Sequence, residues 1–150
     1  MSRKFFAAIV VVTLLLIQSA ASAGYQKYLN GDRNYVLFDG YQGVARYVVR
    51  DTLKIDAQNP YTLSIDWVTV PRACDGDDTI SERNNFCFAY DRAARKIFVV
   101  DTKTNERRYL PRDVSRAEGA MSIQAAEIAF YLATGEKFFG DFSDEFYPDR

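Results

Sequence analysis

The decade YTLSIDWVTV, Tyr61 to Val70, decides the fold. Tyr61, Leu63, Ile65 and Trp67 fall on one side of an extended chain while Thr62, Ser64 and Asp66 fall on the other, the period-two alternation of a half-buried β-strand. The strand stops at Pro71, which has no N–H to give a sheet ladder. Trp67 follows three apolar side chains on its face and is expected to be largely buried under a covering layer.

Working outward from this strand, the same signals recur. Tyr35-Val36-Leu37-Phe38 is an apolar run closed by Asp39-Gly40, and Val44 to Val49 follows Gly43, which predicts a hairpin with Asp39 as a turn residue. Downstream, Phe86-Cys87-Phe88-Ala89-Tyr90 alternates large and small side chains, and Ile97 to Val100 is β-branched and aromatic. The polar stretches DRAARK and Thr102–Asn105 read as connections, and Arg107-Arg108-Tyr109-Leu110 before Pro111 completes a meander.

The period then changes. From Ala120 to Thr134 the composition turns to Ala, Ile, Gln, Glu and Leu, with Ser122 as N-cap and Gly135 at the C-terminal stop, which predicts a helix. Ile123, Ala126, Phe130 and either Tyr131 or Leu132 share the face that would lie on the sheet. Past the helix, the first aromatics are expected to pack and the acidic, aromatic residues 141–150 to fray. The expected class is α+β: an antiparallel sheet of about five or six strands with one C-terminal α-helix packed on it.

The chain has 150 residues, 48% hydrophobic and 26% charged, which suits one globular domain. Its first 23 residues join a basic start (Arg3, Lys4), a short apolar run from Phe5 to Ile17 and the small-residue end Ala21-Ser22-Ala23. That is the pattern of a cleaved secretory signal; the apolar run is well short of the roughly 20 residues of a bilayer span. The mature domain, 24–150, is then expected in the periplasm or outside the cell, with no transmembrane segment after cleavage.

Cys74 and Cys87 are the only cysteines and bracket a polar stretch. In an oxidising compartment they are expected to form a disulfide, two unpaired thiols being the other reading. Histidine is absent, which removes imidazole acid–base chemistry, the Ser-His-Asp and Cys-His nucleophile systems and every metal site that needs an imidazole ligand.

Other chemistry is faint. Asp75, Asp77, Asp78 and Glu82 lack the register of a calcium loop and read as a solvated loop. Asp39 and Asp66 are the only carboxylates embedded near strands, and nothing selects them as a catalytic pair. No Gly-rich phosphate loop, cofactor motif or nucleophile motif is present, so neither a metal nor a cofactor is expected, and the chain is read as a non-enzyme.

Charge placement says more. Residues 91–116 hold eight basic against four acidic side chains, whereas residues 117–150 hold two basic against seven acidic. Arg92, Arg95, Lys96, Lys103, Arg107, Arg108 and Arg112 are therefore the candidate contacts for an anionic partner, with the acidic tail as an intramolecular competitor. A formal net charge of −1 gives no reason to expect nucleic acid.

Tyr35-Val36-Leu37-Phe38-Asp39-Gly40, the Gly43-Val44-Ala45-Arg46-Tyr47 continuation and Ala129-Phe130-Tyr131-Leu132 carry a resemblance. In this pattern the chain resembles small secreted bacterial proteins of unknown function, mainly from diderm relatives of the Gram-positive bacteria. More distantly it resembles the surface adhesin E type of small β domain, which implies binding to host proteins. The expected role is a binding or interaction module at the cell envelope with a macromolecular partner. The alternatives are a small carboxylate-dependent hydrolase and a structural envelope component without a ligand site.

Overall fold

A computed structural model describes residues 24–58, 61–113 and 119–150; the signal segment 1–23 lies outside the described residues. Strands β1 (Tyr35–Tyr41), β2 (Val44–Asp56), β3 (Tyr61–Val70), β4 (Glu82–Asp91), β5 (Lys96–Val100) and β6 (Arg107–Leu110) form one antiparallel sheet in chain order. Helix α1 (Ala120–Thr134) packs against β1, β2 and β3, so the class is α+β.

The alternation that predicts β3 also builds the main core. Leu63 and Ile65 are fully buried with Val36, Phe38, Val48, Phe88, Tyr90, Ile97 and Leu110 beneath Ile123, Ala126 and Phe130 of the helix. Trp67 sits on the expected face but only half-buried at its margin, where it stacks on Phe86 with centroids 5.3 Å apart and meets the Phe38 edge at 6.0 Å. It lies toward the end of the strand, so the helix does not roof it as fully as Leu63 and Ile65.

The opposite face of β3 turns apolar past Asp66. Val68 and Val70 join Ala45, Tyr47, Val49 and Leu29 in a second core, covered by Tyr25 and the turn at Leu29–Gly31. The N-terminal segment also lines the β1 edge, where Leu37 N–H donates to the Lys27 carbonyl. Tyr25 explains why the β1 strand runs through Asp39-Gly40 instead of turning there. Its ring lies so close over Gly40 that an added Cβ would be 2.3 Å from it, and its hydroxyl accepts the Gly43 N–H at 2.9 Å. The turn falls at Gln42-Gly43, both with positive φ, and Asp39 is a buried strand residue paired with Arg46 at 2.7 Å.

Two expectations about the helix change. Gly119, not Ser122, is its N-cap, while Gly135 ends it in the left-handed conformation as predicted. Burial is not limited to one face: Ala125, Glu127, Ile128 and Ala129 are all at 0% exposure. The cover on the far side is the C-terminal segment, which packs where fraying was expected. Tyr147 and Pro148 are buried, and Asp149 N–H donates to the Tyr28 hydroxyl at 2.7 Å while its carboxylate meets Lys27 and Arg33.

Glu127 holds this segment. Its carboxylate accepts the backbone N–H groups of Phe139 (3.1 Å) and Gly140 (3.0 Å) and the Tyr147 hydroxyl (2.8 Å). A buried carboxylate is costly unless donors satisfy it, and these three do so. Removing it by Glu127→Ala leaves two amides and a phenol without their acceptor, and is expected to lower unfolding stability by about 2–4 kcal/mol. Urea unfolding checks this; an unchanged midpoint would refute the role given to Glu127.

Burial, with Glu127 close by, pushes the Tyr90 and Tyr147 phenols above the ordinary value. Both stay neutral in the folded chain when unfolded tyrosines ionise, so their contribution is complete below about pH 10 and falls as pH rises beyond it. Alkaline titration of phenolate absorbance should show exposed tyrosines ionising first, with Tyr90 and Tyr147 following only as the protein unfolds. Simple titration of all ten tyrosines near the ordinary value would contradict it.

Candidate functional site

On β4 the large and small residues separate by face. Phe86, Phe88 and Tyr90 point into the main core, and Cys87 and Ala89 lie on the other face opposite Ser64 and Thr62 of β3. On β5 the same outer face carries Lys96, Phe98 and Val100, and on β6 it carries Arg107 and Tyr109. Small side chains on a central strand between larger ones leave a trough.

That trough is a hollow of about 420 Å³ lined by Asp56, Gln58, Thr62, Thr102, Asn105 and Arg107 over Cys87 and Val100. Beside it, Phe98 and Tyr109 form a tilted ring pair with centroids 5.8 Å apart, Tyr109 being 47% exposed. Lys96 Nζ lies 5.7 Å from the Tyr109 centroid. Further along the same face of β3 and β4 runs a polar ladder: Asp66 accepts from Arg83 Nε at 3.0 Å and Asn85 Nδ2 at 2.9 Å, and Asn85 bonds Ser64.

The seven candidate cations do not form one cluster. Arg92 pairs with Glu136 at 2.8 Å, Arg95 donates to the Phe138 and Phe139 carbonyls, and Arg112 pairs with Asp141 while lying over the Phe139 ring. These three hold the C-terminal segment. Lys96, Lys103, Arg107 and Arg108 form no ion pair with a described residue. Lys96 and Arg107 share the outer face, Lys103 lies in the β5–β6 turn, and Arg108 falls on the other face opposite Val99. The acidic tail is not a competitor for Arg107. Asp144 pairs with Lys137 and Asp149 with Lys27 and Arg33.

The expected disulfide is absent: both cysteines are free. Register gives the reason. Cys87 lies opposite Ser64, whereas Cys74 follows the far end of β3, beyond Thr69 and its partner Glu82. Five strand residues put them at least about 16 Å apart, against the ~7 Å a disulfide tolerates between Cα atoms. Cys74 instead lies by Tyr25, whose phenol is raised first by its hydrogen bond to that thiol. Burial pushes the Cys87 thiol up, with Arg107 pulling weakly the other way, so the trough floor is uncharged at neutral pH.

No family model, curated protein or solved structure matches this chain. Asp39 and Asp66 are two strands and three register positions apart, each bound to its own arginine, and do not face one another. In the acidic loop, hydrogen bonds from Thr79 and then the Arg72 guanidinium hold the Asp77 carboxyl down to about 2, and Asp78 accepts from Asn30. Among the described residues no group of three or more such carboxylates or thiols converges on a metal position, and no helix is long and apolar enough to cross a membrane.

Sequence reasoning missed the trough, although the large–small alternation at Phe86–Tyr90 was its signal. The thiol assignment is directly testable: protein unfolded without reductant should take up two alkyl groups by intact mass. Uptake of none would restore the disulfide.

Proposed function

We propose that the domain is a non-catalytic binding module of the cell envelope, exported through the signal in residues 1–23, and that the outer face of β5 and β6 takes an anionic macromolecule. The observation that carries this reading is the pairing of half-buried Phe98 with exposed Tyr109, bracketed by two cations on the same face, Lys96 and Arg107. Rings supply contact area with little loss of side-chain freedom, and a guanidinium with no ion-pair partner among the described residues can meet a carboxylate or phosphate in a bidentate manner. Arg92, Arg95 and Arg112 are left out of the proposed contact set, since the C-terminal segment already engages them.

The test uses polygalacturonate as an anionic probe at two salt concentrations. Wild type should bind more tightly at low salt, and Arg107→Ala should lose about tenfold in affinity, the scale of one charge-assisted contact. Arg92→Ala should bind as wild type does. No binding by wild type at low salt, or equal losses in the two variants, would overturn the proposal.

A further inference from the structure

The trough between Thr62 and Arg107 is a more specific feature than the charged stripe beside it. Its floor is low because β4 places Cys87 there, and its walls come from separate elements. Asp56 ends β2 and Gln58 follows it, Thr62 lies on β3, Thr102 and Asn105 lie in the β5–β6 turn, and Arg107 begins β6. That turn is held firmly. Asp101 accepts the Lys103 and Thr104 N–H groups at 2.8 and 3.2 Å, and Asn105, at φ 59°, donates its N–H to the Asp101 carbonyl. Thr102 and Asn105 are thereby presented by a pre-organised loop.

We infer that this trough is a subsite for a hydroxyl-rich ring bearing a carboxylate, so that the partner is an acidic polysaccharide. The inference rests on the binding role proposed above and names its ligand class. The hollow has the size of a small-molecule site, and its amides, hydroxyls and carboxylate offer donors and acceptors together, as vicinal sugar hydroxyls require. Arg107 is the one cation among the lining residues and matches a single carboxylate per ring. An acidic polypeptide would meet Asp56 here without a row of cations to offset it, and an acyl chain would find polar walls. Phe98 and Tyr109, next along the face, give the following ring of the chain a surface to stack on.

Alkylation of Cys87 by uncharged iodoacetamide, followed by peptide mass mapping with Cys74 as internal reference, reports occupancy of the trough directly. A galacturonate oligomer should slow Cys87 by about fivefold or more and leave Cys74 unchanged, while polyglutamate of equal charge should protect neither. Gln58→Ala and Asn105→Ala should each weaken oligomer binding about fivefold, and Cys87→Leu, which fills the floor and keeps Arg107, should lower oligomer affinity about tenfold in a direct titration by calorimetry. Circular dichroism confirms that each variant is folded. If polyglutamate or single-stranded DNA binds as well as the oligomer, or if the oligomer binds without protecting Cys87, the subsite is wrong while the binding role stands. If no anionic polymer binds, both fall.

Discussion

A single buried carboxylate determines what the last part of this chain can do. Glu127 lies in the middle of α1 with no solvent contact, and the groups that satisfy it belong to residues 139, 140 and 147. Packed on the helix without that acceptor, two backbone amides and a phenol of the segment would be buried unpaired, so the helix and the segment after it form one unit. Gly140, at φ 75°, lets the chain turn so that consecutive amides face the same carboxylate. Arg112, Arg95 and Arg92 then reach the segment from the sheet side, which draws three of the seven candidate cations into structural work.

The strands were legible because their periodicity is a local property. β3, β4, β5 and β6 follow from alternation and from the polar breaks between them, and the helix from its composition and Gly135. What was not legible depends on distant neighbours. Nothing near Asp39-Gly40 announces that Tyr25 will lie across it, and without that ring the pair reads as an ordinary turn. Likewise the alternation of Tyr61–Val70 is correct, but whether Val68 and Val70 are wasted on solvent or form a second core depends on a segment more than thirty residues upstream.

The site followed the same division. Which residues are basic was plain, and which of them are free to act was not, because the acidic partners lie 29 to 44 residues further along the chain. The separation of the two cysteines is hidden in the sequence for a related reason. Their loop length suits a bridge, but a hairpin ladder running between them fixes their separation, and register is invisible until strands are paired. The trough itself arises from two small side chains on a central strand, a pattern that sequence records but that gains meaning only when the flanking strands are known.

The meeting of Asp149 with Lys27, Arg33 and Tyr28 joins residues more than a hundred positions apart. A chain that emerges N-terminus first can pair β1 to β6 in order as each hairpin appears, since every strand neighbours the one before it. The N-terminal segment, by contrast, has part of its binding surface supplied by Asp149. Sheet assembly can therefore keep pace with synthesis, whereas closure of the domain waits until residues 139–149 have emerged, and a nascent form would leave the outer side of α1 uncovered until that moment.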